Sequence, residues 1–293
     1  MGLNRLGMML DAVIFRHTLF SLPFAAAAVL LESGGRPPLG KGLLILIAVV
    51  AGRNAANAFN RVIDGDIDAR NPRVADRHVP RGLLSKRSLL GFGLALCLVL
   101  VIAAVLLNPL CAALLPLAGL LIGGYSFSKR FTWLCHYWLG LACSCSVMGA
   151  FIGLSGSFAL RYFVLAGAHA LWVAGFDIIY GIQDLDFDRR EGLYSIPVKF
   201  GAGGALLIAA FSHLGALAGL LLVPLFWDLS PGYFAGAGTA AILLAAEHVL
   251  VRGGRRDGGR VYSERRIRIA AYSLNEIIPL LVLGGALLGV YGP

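Results

Sequence analysis

Long, uninterrupted runs of apolar residues dominate the hydrophobic pattern of this chain. They lie at 13–31, 41–63, 88–107, 109–126, 133–154, 160–182, 204–226, 232–251 and 269–291. Each run is roughly 17 to 23 residues long, which is about what an α-helix needs to cross the hydrocarbon core of a bilayer. The runs lack the short alternating pattern of membrane β-strands. The pattern therefore predicts an all-α, polytopic integral membrane protein with nine transmembrane helices.

Composition and charge agree with this prediction. Of the 293 residues, 58% are hydrophobic and 14% are charged, which is far more apolar than a soluble domain. The net charge of +9 could indicate nucleic acid, but most Lys and Arg residues lie in the N-terminal leader and in the loops after the second, fourth, sixth and eighth segments. This positive-inside arrangement predicts a cytoplasmic N-terminus and an external C-terminus. We therefore expect the lipid bilayer, and not nucleic acid, as the partner.

Carboxylates are concentrated in two short windows. The chain has 16 acidic residues, and more than half of them fall within 64–76 and 177–191. Ionisable groups at membrane depth are costly and usually mark a path or a site for ions or substrates. These two windows are therefore the first candidates for a functional site.

Each window continues a row of polar residues along one helix face. In the first row, Arg53, Asn57, Asn60 and Asp64 have the spacing i, i+4, i+7 and i+11, and Asp68 extends it if the helix persists for another turn. The second row consists of Asp177, Tyr180, Asp184 and Asp188. An isolated pair of aspartates at a helix end is often only an exposed terminus, but two rows that extend into the bilayer are hard to explain in that way. Both rows end at the same predicted membrane surface.

Two facing rows of carboxylates require cations between them. Like charges in a low-dielectric cavity repel strongly, and oxygen ligands of this kind suit Mg²⁺, which is usually completed by substrate phosphate oxygens. Basic residues in the loops that follow supply the countercharge for a phosphorylated ligand. Those that we single out are Arg73, Arg77, Lys129 and Lys199. Taken singly, such loop residues could also be topology determinants or contacts to lipid headgroups.

With these motifs the chain resembles the UbiA superfamily of intramembrane prenyltransferases over essentially its whole length, as one domain of residues 1–293. The matching motifs are Asn60-x-x-x-Asp64-x-x-x-Asp68 with Asn71-Pro-Arg73-x-x-x-Arg77, and Tyr180-x-x-Gln183-Asp184-x-x-x-Asp188 with Gly192-x-x-Ser195-Ile-Pro197-x-Lys199. The commonest form of the first motif has Asp directly after Asn, whereas this chain has Arg61. The residues and spacing of both motifs are similar to those of the bacterial 4-hydroxybenzoate polyprenyltransferase-like branch.

The resemblance implies a bundle of nine helices around a central cavity with a cytoplasmic cap, in the inner membrane of a bacterium. It implies that Asn60, Asp64, Asp68, Asp184 and Asp188 bind Mg²⁺. Arg73, Arg77, Lys129 and Lys199 would then stabilise the departing diphosphate. The prenyl tail would extend into a bilayer-facing cavity, where burial is worth about 0.8 kcal/mol per CH₂ group.

The acceptor end of this expected site rests on fewer residues. Arg53 lies about two turns deeper than Asn60 and could pair with the carboxylate of an aromatic acid, or form a helix-packing ion pair with Asp177. Asp177 and Tyr180 line the same cavity and are candidates to orient the acceptor's hydroxyl group.

The expected activity is Mg²⁺-dependent transfer of a polyprenyl group from an allylic prenyl diphosphate to 4-hydroxybenzoate or a dihydroxynaphthoate in quinone biosynthesis. Other reactions of the same superfamily stay open: haem O or chlorophyll-type prenylation, lipid prenylation and terpene cyclisation. A transporter would also use buried carboxylates, but it would place polar groups along a whole transmembrane path. Here both rows stop partway and open to one side.

Overall fold

The regular structure of the described chain is entirely helical. The computed structural model describes residues 2–13, 18–252 and 262–293, with side chains from Leu6 onward. The helices are α1 (Gly2–Ala12), α2 (Thr18–Glu32), α3 (Leu39–Asp68), α4 (Lys86–Leu107), α5 (Pro109–Ser128), α6 (Cys135–Ser155), α7 (Tyr162–Gly181), α8 (Leu185–Arg190), α9 (Ile196–Leu222), α10 (Tyr233–Arg252), α11 (Glu264–Arg268) and α12 (Ile278–Tyr291). No strand occurs in these ranges. The all-α prediction is confirmed.

The helices also confirm an integral membrane protein. Within the described residues, eight helical stretches are long and apolar enough to cross a bilayer. The remaining predicted segment corresponds to α2, which has 15 residues and contains Pro23. Residues 14–17, where that segment was predicted to begin, lie outside the described chain, as does most of the basic loop after α10. In the part of the chain that the structure describes, the bundle thus has eight helical stretches of membrane-spanning length and one shorter apolar helix.

The core lies around α7, which is the most buried of the long helices. Aromatic side chains fill it: Phe24 stacks on Trp172 with ring centroids 5.3 Å apart, and Phe151 stacks on Tyr162 at 4.5 Å. In contrast, α5 buries only Ser126 and Ser128, at its C-terminal end. The rest of α5 is partly buried or exposed.

Breaks in three helices shape one end of the bundle. At the end of α7, the 3₁₀ turn Ile182–Asp184 leads into α8 and carries the second row onward. Gly201 interrupts α9 with a φ of 69°, a left-handed conformation that glycine adopts at low cost. A π-helical stretch, Ile269–Leu274, separates α11 from α12. Irregular backbone of this kind is tolerated in membrane proteins where it lines a cavity.

Loops from three parts of the chain form a cap at this same end. The Tyr194 amide donates to the Lys129 carbonyl oxygen at 2.7 Å, which joins the loop after α5 to the segment before α9. Arg70 Nη2 donates to Glu191 Oε2 at 2.7 Å, which joins the loop after α3 to the end of α8. The cap therefore closes over the ends of both predicted polar rows.

Close packing of α10 against α12 yields a test of the fold. A Cβ atom on Gly236 would lie 2.6 Å from the Cα atom of Gly285, whereas a Cβ on Gly238 would meet nothing within 4 Å. We expect Gly236→Ala to destabilise the protein by about 1–3 kcal/mol, because overpacking forces the backbones apart. Thermal unfolding in detergent should show a lower midpoint for this variant. Gly238→Ala is the control, and equal midpoints for the two would contradict the packing described.

Candidate active site

Beneath the cap, a polar cavity of about 200 Å³ lies between α3, α5, α6 and α7. Its lining contains every member of both predicted rows, namely Arg53, Asn57, Asn60, Asp64 and Asp68 from α3 and Asp177, Tyr180, Asp184 and Asp188 from α7 and α8. The first row is complete because α3 continues through Asp68. Asp66 and Asp186, which alternate with these residues, are exposed and lie outside the lining. The structure therefore brings the two rows together around one space.

Each carboxylate of the first row has a cation beside it. Asp64 accepts hydrogen bonds from Asn60 Nδ2 at 2.7 Å and from Arg130 Nη2 at 2.9 Å. Asp68, which is buried, accepts one from Arg77 Nη1 at 2.7 Å. Charge pairing of this kind compensates for removing the carboxylates from water.

The second row is held by a denser set of contacts. Arg73 binds both oxygens of Asp184, with Nε–Oδ1 at 2.8 Å and Nη2–Oδ2 at 2.5 Å. Asn71 Nδ2 donates to Asp184 Oδ1 at 3.0 Å, and Arg73 Nη1 donates to the Tyr180 hydroxyl oxygen at 2.5 Å. The guanidinium carbon also lies 4.8 Å from the centre of the Tyr180 ring. Asp184 is thus the most firmly oriented carboxylate in the cavity.

The two cations that hold the second row stay charged. Burial alone would lower the pKa of Arg73, but the hydrogen bonds and charge of Asp184 outweigh it and raise the pKa above its ordinary value. Burial would likewise lower the pKa of Lys129, whereas Asp188, at 3.4 Å, and Asp184 raise it. Both groups therefore remain positive at any physiological pH, and the charge of the cavity is set by what binds in it.

The deep end of the cavity differs from the ion pair that the sequence left open. Asp177 pairs with His136, whose Nδ1 lies 2.7 Å from Asp177 Oδ2. Arg53 instead donates from Nη1 to Cys143 Sγ at 2.8 Å, and its buried Nε has no hydrogen-bond partner. Among the described residues, Arg53 has no carboxylate within ion-pair distance. This guanidinium is available to an anion.

One predicted diphosphate ligand lies elsewhere. Lys199 is exposed, and its Nζ lies 4.0 Å from the centre of the Trp133 ring, outside the cavity lining. Arg61, which occupies the position where the family pattern commonly has Asp, is buried. Its Nε donates to the Ala12 carbonyl oxygen at 3.2 Å and its Nη1 donates to Asn60 Oδ1 at 3.3 Å. Arg61 thus ties α1 to α3 beside the first row.

Two residues contact the aspartates directly although the sequence did not predict those contacts. His136 begins an apolar segment and has no partner at helical spacing, so nothing in the pattern distinguished it. Asn71 was part of a quoted motif, but its contact with Asp184 depends on how the loop after α3 folds back. Tyr272, in the π-helical stretch, also lines the cavity and packs its ring 4.9 Å from that of Tyr180.

A second, apolar cavity of about 410 Å³ adjoins the first. It lies between α3, α4, α5 and α6 and is lined mainly by Leu, Ile, Ala and Gly side chains. Arg53, Tyr125 and Leu139 line both cavities and mark their junction. A molecule with a charged head and a long apolar tail fits this pair of spaces.

The donor atoms of the polar cavity suit a hard cation. In the described parts of the chain, no three His, Cys, Asp or Glu side chains lie close enough together to form a ready-made metal cage. Mg²⁺ does not need one, since it is usually held by one or two carboxylates together with waters and substrate phosphates. The carboxylate and amide oxygens of Asn60, Asp64, Asp68, Asp184 and Asp188 fit that requirement.

Such a site suits an intramembrane transferase whose substrate has a charged head and an apolar tail. The profile of the UbiA prenyltransferase family matches residues 21–265, and the chain belongs to that family. It is 32% identical over 230 residues to the 4-hydroxybenzoate octaprenyltransferase of Xanthomonas campestris pv. campestris strain B100, which covers 77% of this chain and 74% of that enzyme. The enzyme of the same name from Vibrio cholerae O395 is 28% identical over 264 residues, or 90% of this chain and 89% of that one. The protein is therefore a prenyltransferase.

Solved structures show the same fold. The apo structure of a UbiA homologue from Aeropyrum pernix K1 superposes with a TM-score of 0.82 at 31% identity, over 92% of this chain and 96% of that one. A UbiA homologue from Archaeoglobus fulgidus bound to GPP and Mg²⁺ gives a TM-score of 0.70 at 18% identity, over 95% of this chain and 98% of that one. The bundle around the two cavities is the UbiA fold.

The Arg73–Asp184 pair can be tested by an exchange that keeps the charge. Lysine at position 73 cannot bind both Asp184 oxygens and the Tyr180 hydroxyl at once, so Arg73→Lys should destabilise the protein by about 1–3 kcal/mol. Arg70→Lys is the matched control. Arg70 also makes two hydrogen bonds to a carboxylate, but its side chain is 55% exposed, and its replacement should cost less than about 1 kcal/mol. Equal shifts of the melting midpoint in detergent would contradict this ranking.

Proposed function

We propose that this prenyltransferase moves a polyprenyl group from an allylic prenyl diphosphate to the ring of an aromatic acid, as a step of quinone biosynthesis. The observation that carries the proposal is a polar cavity in which four carboxylates are paired with Arg or Lys side chains and which opens into an apolar cavity. The names of the Xanthomonas and Vibrio relatives support a 4-hydroxybenzoate acceptor. We place the site at the cytoplasmic face of a bacterial inner membrane, because the cap carries the basic loops.

The oxygens at the ends of the two rows would hold Mg²⁺. These ligands are Asn60, Asp64, Asp68, Asp184 and Asp188, which line one cavity. The GPP and Mg²⁺ bound to the Archaeoglobus homologue support Mg²⁺ as the metal. When bound, Mg²⁺ supplies neutralisation of the negative charge that develops as the allylic C–O bond breaks. The same charge would otherwise be repelled by the aspartates of both rows.

The cations that now pair with these aspartates would bind the diphosphate. Arg73, Arg77 and Lys129 each contact an aspartate and line the cavity. Because diphosphate oxygens replace one anion by another, these side chains could exchange partners with little movement. Lys199, which was also predicted here, is not part of the proposal because its ammonium group lies on Trp133.

Arg53 supports an acidic acceptor. A guanidinium at this depth is costly unless an anion neutralises it, and the described residues provide none within reach. An aromatic carboxylate could form paired hydrogen bonds with it. Asp177 and Tyr180, on the opposite wall, would face the acceptor's hydroxyl group. This arrangement favours an aromatic acid, either 4-hydroxybenzoate or a dihydroxynaphthoate, over terpene cyclisation, which needs no acceptor.

The apolar cavity would receive the prenyl tail. A tail that entered it through the junction at Arg53 and Tyr125 would leave the reacting carbon in the polar cavity, near both diphosphate and acceptor. The allylic cation formed there must be kept from water, and walls made of Leu, Ile and Ala side chains serve that purpose. The polar residues are then needed only at the end where charge is formed.

Asp64 and Asp184 should be essential for catalysis. Purified protein in membranes, given labelled prenyl diphosphate, Mg²⁺ and a panel of aromatic acids, should form a labelled acid, and EDTA should abolish the product. Asp64→Asn and Asp184→Asn should each reduce the rate at least about 100-fold, because charge stabilisation in the transition state is lost. Asp66→Asn and Asp186→Asn alter exposed carboxylates and should keep the wild-type rate. Full transfer by Asp64→Asn or product without any acceptor would refute the proposal.

Arg53 should determine the preference for acidic acceptors. Arg53→Met should raise the KM for 4-hydroxybenzoate about 10-fold or more, because a charged hydrogen-bonded pair is worth about 1.5–3 kcal/mol. The KM for the prenyl diphosphate should stay the same. Phenol lacks the carboxylate, so the wild type and the variant should prenylate it at the same rate. An unchanged preference for the acid over phenol would remove Arg53 from the acceptor site.

A further inference from the structure

A buried histidine stands directly behind the aspartate at the deep end of the polar cavity. His136 is 1% exposed, and its Nδ1 lies 2.7 Å from Asp177 Oδ2. An ionised carboxylate can only accept hydrogen bonds, so Nδ1 carries the hydrogen and donates it. The pair connects the start of α6 to the C-terminal part of α7.

The shape of the surrounding wall keeps the imidazole in this orientation. A Cβ atom on Gly181 would lie 3.0 Å from His136 Cε1 and 3.6 Å from its Nε2, so the absence of a side chain there makes room for the ring. His136 Nε2 is buried and has no hydrogen-bond partner. Burying such an atom costs free energy, and an apolar side chain would fill the space without that cost. The contact with Asp177 is the feature that a histidine provides.

Both residues of the pair border the polar cavity, and Asp177 is the more exposed of the two. Its side chain is 26% exposed, and in the described chain Oδ1 takes no hydrogen bond, whereas Oδ2 is held by His136. Asp177 precedes Asp184 by seven residues, or about 10 Å along the helix. Arg53 precedes Asn60 by the same interval on α3. Asp177 and Arg53 thus each precede a proposed metal ligand of their own row by seven residues, and both line the polar cavity.

We propose that His136 is a positioning residue, which holds Asp177 so that its free Oδ1 accepts the proton of the acceptor's hydroxyl group. The inference rests on the proposed function and adds to it a role for a residue outside the aspartate motifs. The ring carbon forms a bond to the allylic carbon as the C–O bond to diphosphate breaks, and the hydroxyl proton moves to Asp177. The ring proton then leaves with the diphosphate, and Asp177 returns its proton to the oxygen as aromaticity is restored.

Three variants of His136 test this role. His136→Leu removes the donor, whereas His136→Asn keeps an amide N–H near the position of Nδ1, and His136→Gln moves it away. We expect the Leu and Gln variants to lower kcat about 10-fold or more at saturating acceptor, with the KM for the prenyl diphosphate unchanged. The Asn variant should retain most of the activity. His169→Leu, which removes a buried histidine of α7 outside both cavities, is the control and should leave kcat unchanged.

A more acidic acceptor separates positioning from a loss of packing. With 3-fluoro-4-hydroxybenzoate the hydroxyl proton is easier to remove, so the deficit of the Leu variant relative to wild type should shrink severalfold. If the deficit is equal with both acceptors, or if the folded Asn and Gln variants are equally active, the role of His136 is wrong. Wild-type activity in the same assay would still support the proposed function. If the Leu variant does not fold, the Asn and Gln pair decides the question. Wild-type protein that makes no prenylated acid would overturn both proposals.

Discussion

Four carboxylates can lie at one end of this apolar bundle because each has a cation within ion-pair distance. An unpaired ionised group at that depth would cost several kcal/mol, so the loops that carry Arg73, Arg77, Lys129 and Arg130 must fold back over the helix ends. This requirement accounts for the cap and for the close approach of its segments. The bundle itself is held by aromatic packing around α7. The four paired aspartates lie in the polar cavity beneath the cap.

Features that follow helical periodicity could be predicted from the sequence. The first row lies on one face because α3 is regular from Leu39 to Asp68. The second row crosses a 3₁₀ turn of only three residues, and all its members still line the cavity. Contacts between different helices could not be predicted in this way. Asp177 and Arg53 both face the cavity, yet Asp177 turns to His136 on α6, which is 41 positions away in the sequence. A periodic pattern contains no information on that choice.

Loop residues were the least predictable part of the site, for the same reason. Lys129 and Lys199 both follow apolar segments at the same predicted surface, but only Lys129 reaches an aspartate. Lys199 lies just before Gly201, where the chain changes direction, and its ammonium group rests on an indole ring instead. Both residues carry the charge that the prediction required, but their side chains point to different neighbours. The direction in which a side chain points depends on turns of the backbone, and these cannot be predicted from the charge of the residue.

The shallow burial of α5 bears on how substrates reach the site. This helix forms one wall of the apolar cavity, yet it buries only two serines, both next to the cap. This wall is the least buried of the membrane-length helices in the described chain. Under the proposed function, a bulky isoprenoid would enter and leave past it, sideways from the surrounding lipid, while the paired charges at the cap stay in place. The polar cavity would then be fixed by its ion pairs, and substrate exchange would take place through the leucine-rich wall of the apolar cavity.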